Sequence, residues 1–279
     1  MIGGKEFLGG APFNFAAHAA RLGHESYLLT AVGDDERGRR VFQEASRLGV
    51  QTRYMEKTGQ GETGLATVTA GPDGNPVFSI VRPAAYDFLA PSDDLLTDNF
   101  DVIYYGTLVQ TFEPACRATT RVLTAFPNAH HFYDVNLRPG HFDLSLVETL
   151  MRHATLLKLN EAETAIITGT KNPSEPEFCE TQSRLFGLEA IAITRGPKGS
   201  AVWVRGEYTE APAFPVAVAD TVGAGDAFAA AFLHGVVAGW PAPRVAEFAN
   251  RAGAFVASRT GAVPEWNPQD LRELRSAQG

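Results

Sequence analysis

One segment, residues 220–226 (Asp-Thr-Val-Gly-Ala-Gly-Asp), could bind a phosphate group and act on it. It opens an alanine-rich stretch with helical spacing, residues 224–238. Two glycines at a helix start let backbone amides approach an anion, and the helix dipole adds partial positive charge there. Asp226 lies in the first turn, where its carboxylate could take a proton from a hydroxyl that attacks the phosphate. The alternative is that Asp220 or Thr221 only caps the helix, but two aspartates framing the glycines favour the catalytic interpretation.

Two better-known nucleotide-binding loops do not match the sequence. The Walker A loop needs Gly-x-x-x-x-Gly-Lys followed by Ser or Thr, and no segment supplies it. A dinucleotide-binding turn needs a third glycine where Phe228 stands, and it normally follows an early strand. The sequence therefore disfavours hydride transfer and indicates a phosphate site without a loop lysine.

A second glycine-rich segment, residues 9–14 (Gly-Gly-Ala-Pro-Phe-Asn), leads into the first predicted helix. Glycines and an asparagine at a helix start can present amides and a carboxamide to a polyhydroxyl ligand. Asn14 could equally be a helix N-cap. Taken alone, this segment does not decide between the two.

The surrounding elements would bring these segments together. Helical and apolar β-branched stretches alternate along the chain, which predicts parallel strands with helices on both faces of the sheet. Catalytic residues of such sheets gather just after the strands. The predicted strands are residues 26–32, 63–70, 76–81, 101–106, 131–135, 155–159, 190–194 and, antiparallel, 201–204. The predicted helices are residues 14–22, 36–48, 224–238, 242–258 and a short one from 268.

Composition excludes several classes of protein. The 279 residues include 24 Lys plus Arg and 32 Asp plus Glu, and the net charge of −8 argues against a nucleic-acid-binding surface. Cys116 and Cys179 are single, widely spaced thiols, so neither a disulfide scaffold nor a zinc site is supported. No stretch approaches the roughly 20 apolar residues of a membrane span, and the start lacks a signal-peptide layout. We therefore expect a cytoplasmic protein that binds neither membranes nor nucleic acid.

The two glycine-rich motifs resemble the two signatures of the PfkB, or ribokinase-like, family of carbohydrate kinases. Residues 220–226 resemble the second signature. Matches to the first are Gly9, Gly10, Asn14, Ala16, Leu22 and Gly23. The resemblance implies an α/β fold: a ribokinase-like three-layer α/β/α domain over residues 1–279 with a mostly parallel central sheet. It also implies a small β-hairpin lid inserted at about 58–90.

The resemblance implies a catalytic role for the second signature. Asp226 would be the general base that deprotonates a sugar hydroxyl. The backbone amides of Gly223, Ala224 and Gly225 would stabilise charge on the transferring γ-phosphate of ATP. A bulky replacement at Gly225 is therefore expected to be severe.

Further matches imply the nucleotide and metal sites. Asn160 and Glu163 match an Asn-x-x-Glu element that organises Mg²⁺ and phosphates, with Glu163 acting through water. The alternative for Glu163 is a solvated helix face. The nucleotide-side residues would be Asn160, Thr194, Gly196, Gly199, Gly223, Gly225 and Asn250. Residues corresponding to a monovalent-cation site of several relatives, which would hold K⁺, are Asp220, Val222, Arg259 and Gly261.

The remaining matches imply the sugar side. Asn136 and Arg138 belong to an Asp-x-Asn-x-Arg element, and Arg138 would pair with the γ-phosphate or an acidic substrate group. A surface salt bridge is the alternative for Arg138. Tyr86, just after the hairpin, resembles the fructokinase branch, where lid residues shield the reacting hydroxyl from water. The sugar-binding candidates are Gly9, Gly10, Asn14, Asp34, Tyr86, Asn136, Arg138 and Asp226.

We therefore expect an ATP-dependent sugar kinase, with fructose or a related hexose as its first substrate. The alternatives within the family are a 2-keto-3-deoxygluconate kinase and a nucleoside kinase. In another class, the alternative is a protein that binds nucleotide and sugar with little activity. A homodimer through the lid is expected, because exposed strand edges invite pairing.

The start of the sequence departs from the family pattern. Relatives usually begin with a strand that bears Gly-Glu and, a little later, an aspartate that contacts the sugar. Neither is found ahead of Gly9. We expect the natural start to lie further upstream; in a shortened family member, a central position of the sheet would be empty or filled from elsewhere.

Overall fold

The computed structural model describes residues 8–70 and 76–274. In this part of the chain the helices are α1 (Ala11–Arg21), α2 (Glu36–Arg47), α3 (Glu113–Ala125), α4 (Leu144–His153), α5 (Glu161–Thr168), α6 (Glu175–Phe186), α7 (Ala224–Val237), α8 (Ala242–Ala257) and α9 (Pro268–Glu273). The strands are β1 (Thr30–Gly33), β2 (Met55–Thr58), β3 (Ala66–Ala70), β4 (Pro76–Ile80), β5 (Val102–Gly106), β6 (His130–Asp134), β7 (Leu156–Asn160), β8 (Ala190–Thr194), β9 (Ser200–Val204) and β10 (Glu207–Ala211). No helix in these ranges is long and apolar enough to cross a membrane.

Local sequence explains where the first two helices begin and end. Gly23 and Gly49 follow α1 and α2 with φ values of 89° and 79°, which glycine adopts without steric cost. Asp35 caps α2, because its carboxylate accepts a hydrogen bond from the amide of Gly38 at 2.7 Å. The glycine positions that stop these helices in the sequence therefore stop them in the structure.

Six strands form the main sheet, in the order β10-β9-β8-β7-β6-β5. β5 to β8 are parallel, and β9 and β10 are antiparallel additions. The sequence predicts the four parallel strands and β9 but not β10. The missed hairpin turns at Arg205 and Gly206, whose positive φ values of 48° and 95° suit a two-residue turn.

Alternate residues of the central strands face opposite layers of helices. Phe132 and Leu156 are fully buried against α1, α7 and α8. Tyr133 and Leu157 are fully buried on the other face, against α4 and α6. Because successive side chains of a strand point to opposite faces, both faces of the sheet are covered. The predicted three-layer α/β/α fold is confirmed.

Four strands lie outside the main sheet. β1 pairs with β2 in parallel, and β3 pairs with β4 as the predicted hairpin, whose turn at residues 71–75 lies outside the described residues. In the described part of the chain β1 pairs only with β2, and β5 pairs only with β6. Strands β1 and β5 both line a cavity of about 900 Å³. The strand and aspartate expected ahead of Gly9 would also lie outside the described residues.

The carboxyl ends of the parallel strands carry polar residues into one region. The strand register places Gly106 beside Asp134 and Asp134 beside Lys158. One strand further along, Asn160 lies beside Thr194. Since ligands of such sheets bind beyond the carboxyl ends of the strands, this edge positions the candidate site.

Candidate active site

Asp226 and Asn14 meet in the site although 212 residues separate them. Helices α1 and α7 pack against each other, and Nδ2 of Asn14 donates a hydrogen bond to Oδ2 of Asp226 at 2.7 Å. Asn14 is buried inside α1, whose N-cap is Gly10. The interpretation of Asn14 as an N-cap is therefore wrong, and the two glycine-rich motifs contribute to one site.

The surroundings of Asp226 adjust its proton affinity. Burial raises the pKa of Asp226 to about 6. The hydrogen bond from Asn14 and the positive charges of Lys158 and Arg138 oppose this rise, whereas the charge of Asp134 adds to it. A carboxylate whose pKa lies near the working pH can both accept a proton and release it. Asp226 is therefore suited to general-base chemistry.

The amino terminus of α7 forms the predicted anion-binding turn. Gly223 is the N-cap, with a φ of 82°, and a Cβ at this position would lie 2.3 Å from the carbonyl oxygen of Ala262. Only glycine fits this combination of backbone angle and contact. The amide of Ala224 donates to the carbonyl of Thr221 at 3.3 Å. The role predicted for the Ala224 amide therefore requires this bond to open.

A buried ion pair beside this turn was not identified from the sequence. Nζ of Lys158 lies 3.0 and 3.1 Å from the two carboxylate oxygens of Asp134, and the hydroxyl of Tyr104 donates to Asp134 at 2.9 Å. The same Nζ is the nearest atom to a Cβ built on Gly225, at 3.6 Å. Burial alone would lower the pKa of Lys158, but nearby carboxylates, above all Asp134, raise it overall. Lys158 therefore keeps its positive charge next to the anion-binding turn.

The 900 Å³ cavity collects most of the predicted sugar-side and phosphate-side residues, together with the newly identified ion pair. The predicted residues that line it are Gly9, Gly10, Asn14, Tyr86, Asn136, Arg138, Asp220, Val222, Gly223, Gly225, Asp226 and Gly261. Tyr104, Asp134 and Lys158 line it as well. Residues from the early and the late parts of the sequence thus line one cavity around Asp226.

Asp34 is a predicted sugar ligand that the structure does not bring into this cavity. Its side chain is 78% exposed and lies 3.9 Å from Nζ of Lys57. The next residue, Asp35, turns inward and accepts hydrogen bonds from Gly38 and from both the amide and the hydroxyl of Thr63. Because Asp35 serves as the helix cap, Asp34 is left facing solvent. The assignment of Asp34 to the sugar site is corrected accordingly.

Tyr86 lies in the short turn Ala85–Phe88 and faces the cavity. A Cβ on Gly64 would lie 2.4 Å from Cε1 of the Tyr86 ring, so the ring packs directly on the glycine backbone. The ion pair of Arg82 and buried Asp87 lies beside it, with the guanidinium 5.9 Å from the ring centroid. Burial raises the pKa of Tyr86 to about 12, so the hydroxyl remains a hydrogen-bond donor at neutral pH. Tyr86 is thus held in place at the cavity wall.

Glu163 is buried, and the alternative of a solvated helix face is wrong. Its Oε1 accepts from the amide of Leu137 at 2.8 Å, and its Oε2 accepts from the amide of Asn160 at 2.9 Å. Oδ1 of Asn160 accepts in return from the amide of Glu163 at 3.0 Å. Burial raises the pKa of Glu163. These bonds fasten the loop that carries Asn136 and Arg138 to the end of β7.

Gly199, one of the predicted nucleotide-side residues, lies against the end of β10 and the segment that follows it. With a φ of 97°, it approaches so closely that a Cβ would lie 2.0 Å from the carbonyl oxygen of Ala211. Nδ2 of Asn250 donates to the carbonyls of Ala211 and Pro212, both at 3.1 Å. The carboxamide nitrogen of Asn250 therefore anchors this segment.

The turn between Thr194 and Gly199 is fixed by its arginine. Thr194 ends β8, and Gly196 has a φ of 56°. Between them, Nη1 of Arg195 lies 2.8 Å from Glu210, and Nε lies 3.0 Å from Glu175. The structure therefore places three of the predicted nucleotide-side residues, Thr194, Gly196 and Gly199, on one turn, and none of the three lines the cavity.

Asp220 connects the two loops predicted to hold a monovalent cation. Its Oδ1 accepts from the amide of Val222 at 3.0 Å, and its Oδ2 accepts from the amide of Gly261 at 3.2 Å. Arg259 is exposed, with its guanidinium 4.8 Å from the centroid of the Phe255 ring. The structure thus brings Asp220, Val222 and Gly261 together through these two bonds.

Known proteins resemble this chain over nearly its whole length. A fructokinase of Klebsiella pneumoniae is 31% identical over 273 residues, covering 91% of this chain and 87% of the relative. Fructokinase-1 of Zea mays is 29% identical, covering 92% of this chain and 84% of the relative. A sugar kinase of Pyrococcus horikoshii solved in complex with ATP superposes with a TM-score of 0.82 at 25% identity, covering 99% of this chain and 96% of that one.

A solved fructokinase and a family profile give the same result. The Vibrio cholerae fructokinase, in its form with fructose, ADP and calcium, superposes with a TM-score of 0.84 at 24% identity, covering 98% of this chain and 94% of that one. The profile of the pfkB family carbohydrate kinases matches residues 3–269. The chain therefore belongs to the pfkB family of carbohydrate kinases.

Proposed function

We propose that this protein transfers the γ-phosphoryl group of ATP to a hydroxyl of fructose or a related hexose. The observation that carries the proposal is the hydrogen bond between Asn14 and Asp226 beside the turn of Gly223 and Gly225. A ligand-facing amide, a buried base and phosphate-binding amides thereby share one cavity. Fructose is the first choice because the Klebsiella and Zea mays relatives are fructokinases.

Asn14 is oriented to bind a sugar hydroxyl. Its Nδ2 is used by Asp226, while its buried Oδ1 has no hydrogen-bond partner among the described residues. Leaving a buried acceptor without a donor is costly, so a ligand that supplies a donor gains affinity. A sugar hydroxyl is such a donor, and it would bind next to the carboxylate of Asp226.

Asp226 would then act as the general base. It takes the proton of the attacking hydroxyl as the oxygen bonds to the γ-phosphorus and the bond between that phosphorus and the ADP oxygen breaks. The amides of Gly223 and Gly225 and the ammonium of Lys158 would stabilise the charge on the transferring group. Positioning and electrostatics thus supply the catalysis.

Asn160 and Glu163 are proposed to organise Mg²⁺ through water. Both oxygens of Glu163 accept backbone amides, which favours an outer-sphere role, and Mg²⁺ usually keeps several of its waters. When bound with ATP, the ion neutralises phosphate charge. The residues proposed to hold K⁺ are Asp220, Val222, Arg259 and Gly261.

A substrate panel with coupled ADP detection tests the proposed substrate. With ATP and Mg²⁺, we expect kcat/KM for fructose to exceed that for 2-keto-3-deoxygluconate and for nucleosides by about tenfold or more. A preference for nucleosides would overturn the assignment to sugars. A preference for 2-keto-3-deoxygluconate would instead assign Arg138 to a substrate carboxylate. Binding of ATP and fructose by calorimetry without ADP release would favour the alternative of a binding protein with little activity.

The activity is expected to depend on pH through Asp226. The base works only when deprotonated, so kcat/KM should fall below an apparent pKa of about 6 as the pH decreases. The Asn14→Ala variant loses a hydrogen bond that stabilises the charged carboxylate, so its acidic limb should move to higher pH. Initial rates of the wild type and of Asn14→Ala between pH 4.5 and 9, in steps of about 0.5, give the acidic limb of each enzyme. An acidic limb that stays in place in Asn14→Ala would contradict the proposed coupling.

We also propose that the hairpin at residues 58–90 acts as a lid and supports a homodimer. In the described residues β3 and β4 pair only with each other, which leaves one edge of each strand free. Light scattering tests the assembly, and a monomer at the working concentration would contradict it.

Cys116 and Cys179 are free thiols, which suits the reducing cytoplasm that we propose as the location.

A further inference from the structure

We propose that His18 and Trp266 are positioning residues for the anion-binding turn and act through the carbonyl group of Ala262. The inference rests on the proposed function, because it gives this carbonyl a part in placing the phosphate-binding amides. Neither His18 nor Trp266 is among the residues that line the cavity. Any effect of these two residues on phosphoryl transfer must therefore be indirect.

The two side chains form a hydrogen-bonded chain that fixes one tautomer of His18. Nε1 of Trp266 donates to Nδ1 of His18 at 3.1 Å, and Nε2 of His18 lies 3.1 Å from the carbonyl oxygen of Ala262. An indole N–H is only a donor, so Nδ1 must be the acceptor and Nε2 must carry the proton. His18 is fully buried, and burial lowers its pKa to about 4, so the ring is neutral at working pH. A neutral imidazole thus donates to Ala262.

The carbonyl of Ala262 is the surface on which Gly223 packs. A Cβ on Gly223 would lie 2.3 Å from the Ala262 oxygen and 2.6 Å from its Cα. A shift of this carbonyl would therefore displace Gly223, the residue that starts α7, and with it the amides aimed at the γ-phosphate. The hydrogen bond from Nε2 of His18 opposes such a shift, because it holds the carbonyl oxygen of Ala262 in place.

Helix α1 carries these contacts on one face. Asn14, His18 and Arg21 follow one another at spacings of four and three residues, so they point in nearly the same direction. Asn14 donates to Asp226, His18 to Ala262, and Arg21 to the carbonyl of Pro264 at 2.5 Å. One helix thereby sets the position of the base relative to the position of the anion-binding turn.

Substitution of His18 separates positioning from packing. His18→Leu fills the space but removes the donor, and we expect kcat to fall by about 10- to 100-fold, approaching the cost of losing one anion-hole donor. KM for the sugar should change by less than about threefold, because the interaction lost is felt mainly in the transition state. His18→Gln can still donate to Ala262, and it should recover most of the lost kcat.

A second buried histidine provides the control for stability. His131 is 7% exposed, near the amino end of β6, and its ring nitrogens lie 2.9 Å from the carbonyl oxygens of His153 and Phe126. His131→Leu should lower Tm to a similar degree and leave kcat unchanged. Equal losses of kcat in the leucine variants of His18 and His131 would show that His18 has only a structural role. Wild-type kcat in His18→Leu would likewise contradict the positioning role.

Nitrogen NMR tests the inference independently of turnover. Wild-type protein should show His18 with its proton on Nε2. Trp266→Phe, which removes the donor to Nδ1, should shift the Nδ1 signal of His18 while the proton stays on Nε2, where the carbonyl of Ala262 accepts it. His18→Leu should shift the backbone amide signal of Gly223. If the wild type phosphorylates no sugar, the proposed function fails while these signals still decide the positioning role. A wild-type His18 with its proton on Nδ1, or a Gly223 signal that is unchanged in His18→Leu, would overturn the inference.

Discussion

Replacing Asp226 with asparagine is expected to lower kcat by about 10²- to 10⁴-fold, the contribution typical of a general base. Asparagine has nearly the same shape and can still accept the hydrogen bond from Asn14. The variant therefore removes the proton acceptor with little change in packing. ATP binding, measured by calorimetry, should stay within about threefold of wild type, because binding of the nucleotide does not use the base.

The same substitution should stabilise the fold above pH 6. Burial raises the folded-state pKa of Asp226 to about 6 from an ordinary value of 3.8, so at neutral pH the charged carboxylate costs stability. That cost is complete above pH 6, decreases as the pH falls, and is absent below the unfolded pKa. It corresponds to at most about 3 kcal/mol of unfolding free energy, which asparagine removes. A loss of activity accompanied by a large fall in Tm would instead indicate that Asp226→Asn misfolds.

The sequence was sufficient where the information is local. The turn at Gly223 and the buried carboxylate of Asp226 come from one short segment, and the glycines that end α1 and α2 act within their own turns. The alternation of helix and strand signals likewise predicted the layered sheet. Resemblance to a family then assigned Asn14 and Asp226 to the same sugar site, which local spacing alone did not.

The residues that were missed depend on non-local contacts. Lys158 is a single charge in an apolar strand, and its partner Asp134 is defined only by the register of β6 against β7. Trp266 reaches His18 across 248 residues. The error at Asp34 has a different origin: two adjacent aspartates compete for one helix cap, and the sequence does not show which of them faces solvent.

Replacing Gly223 with alanine is expected to be more damaging than replacing Gly225, the position that the sequence identified as sensitive. An alanine at position 223 would have to adopt a φ of 82°, which is unfavourable for a residue with a Cβ. Its Cβ would also lie 2.3 Å from the carbonyl oxygen of Ala262. Holding a non-glycine residue in such a conformation costs about 1–3 kcal/mol, before the contact is relieved. Because relief moves the anion-binding amides, we expect kcat to fall by about 10²- to 10³-fold.

Gly225→Ala is the matched comparison within the same turn. Its Cβ would meet Nζ of Lys158 at 3.6 Å, an ordinary contact, and alanine favours the helix by about 1 kcal/mol. We therefore expect near-wild-type Tm and a modest change in kcat. Gly225→Leu should be severe, because a longer side chain must displace Lys158 from Asp134. Steady-state kinetics and thermal unfolding of the three variants rank them, and wild-type kcat in Gly223→Ala would contradict the role assigned to this turn.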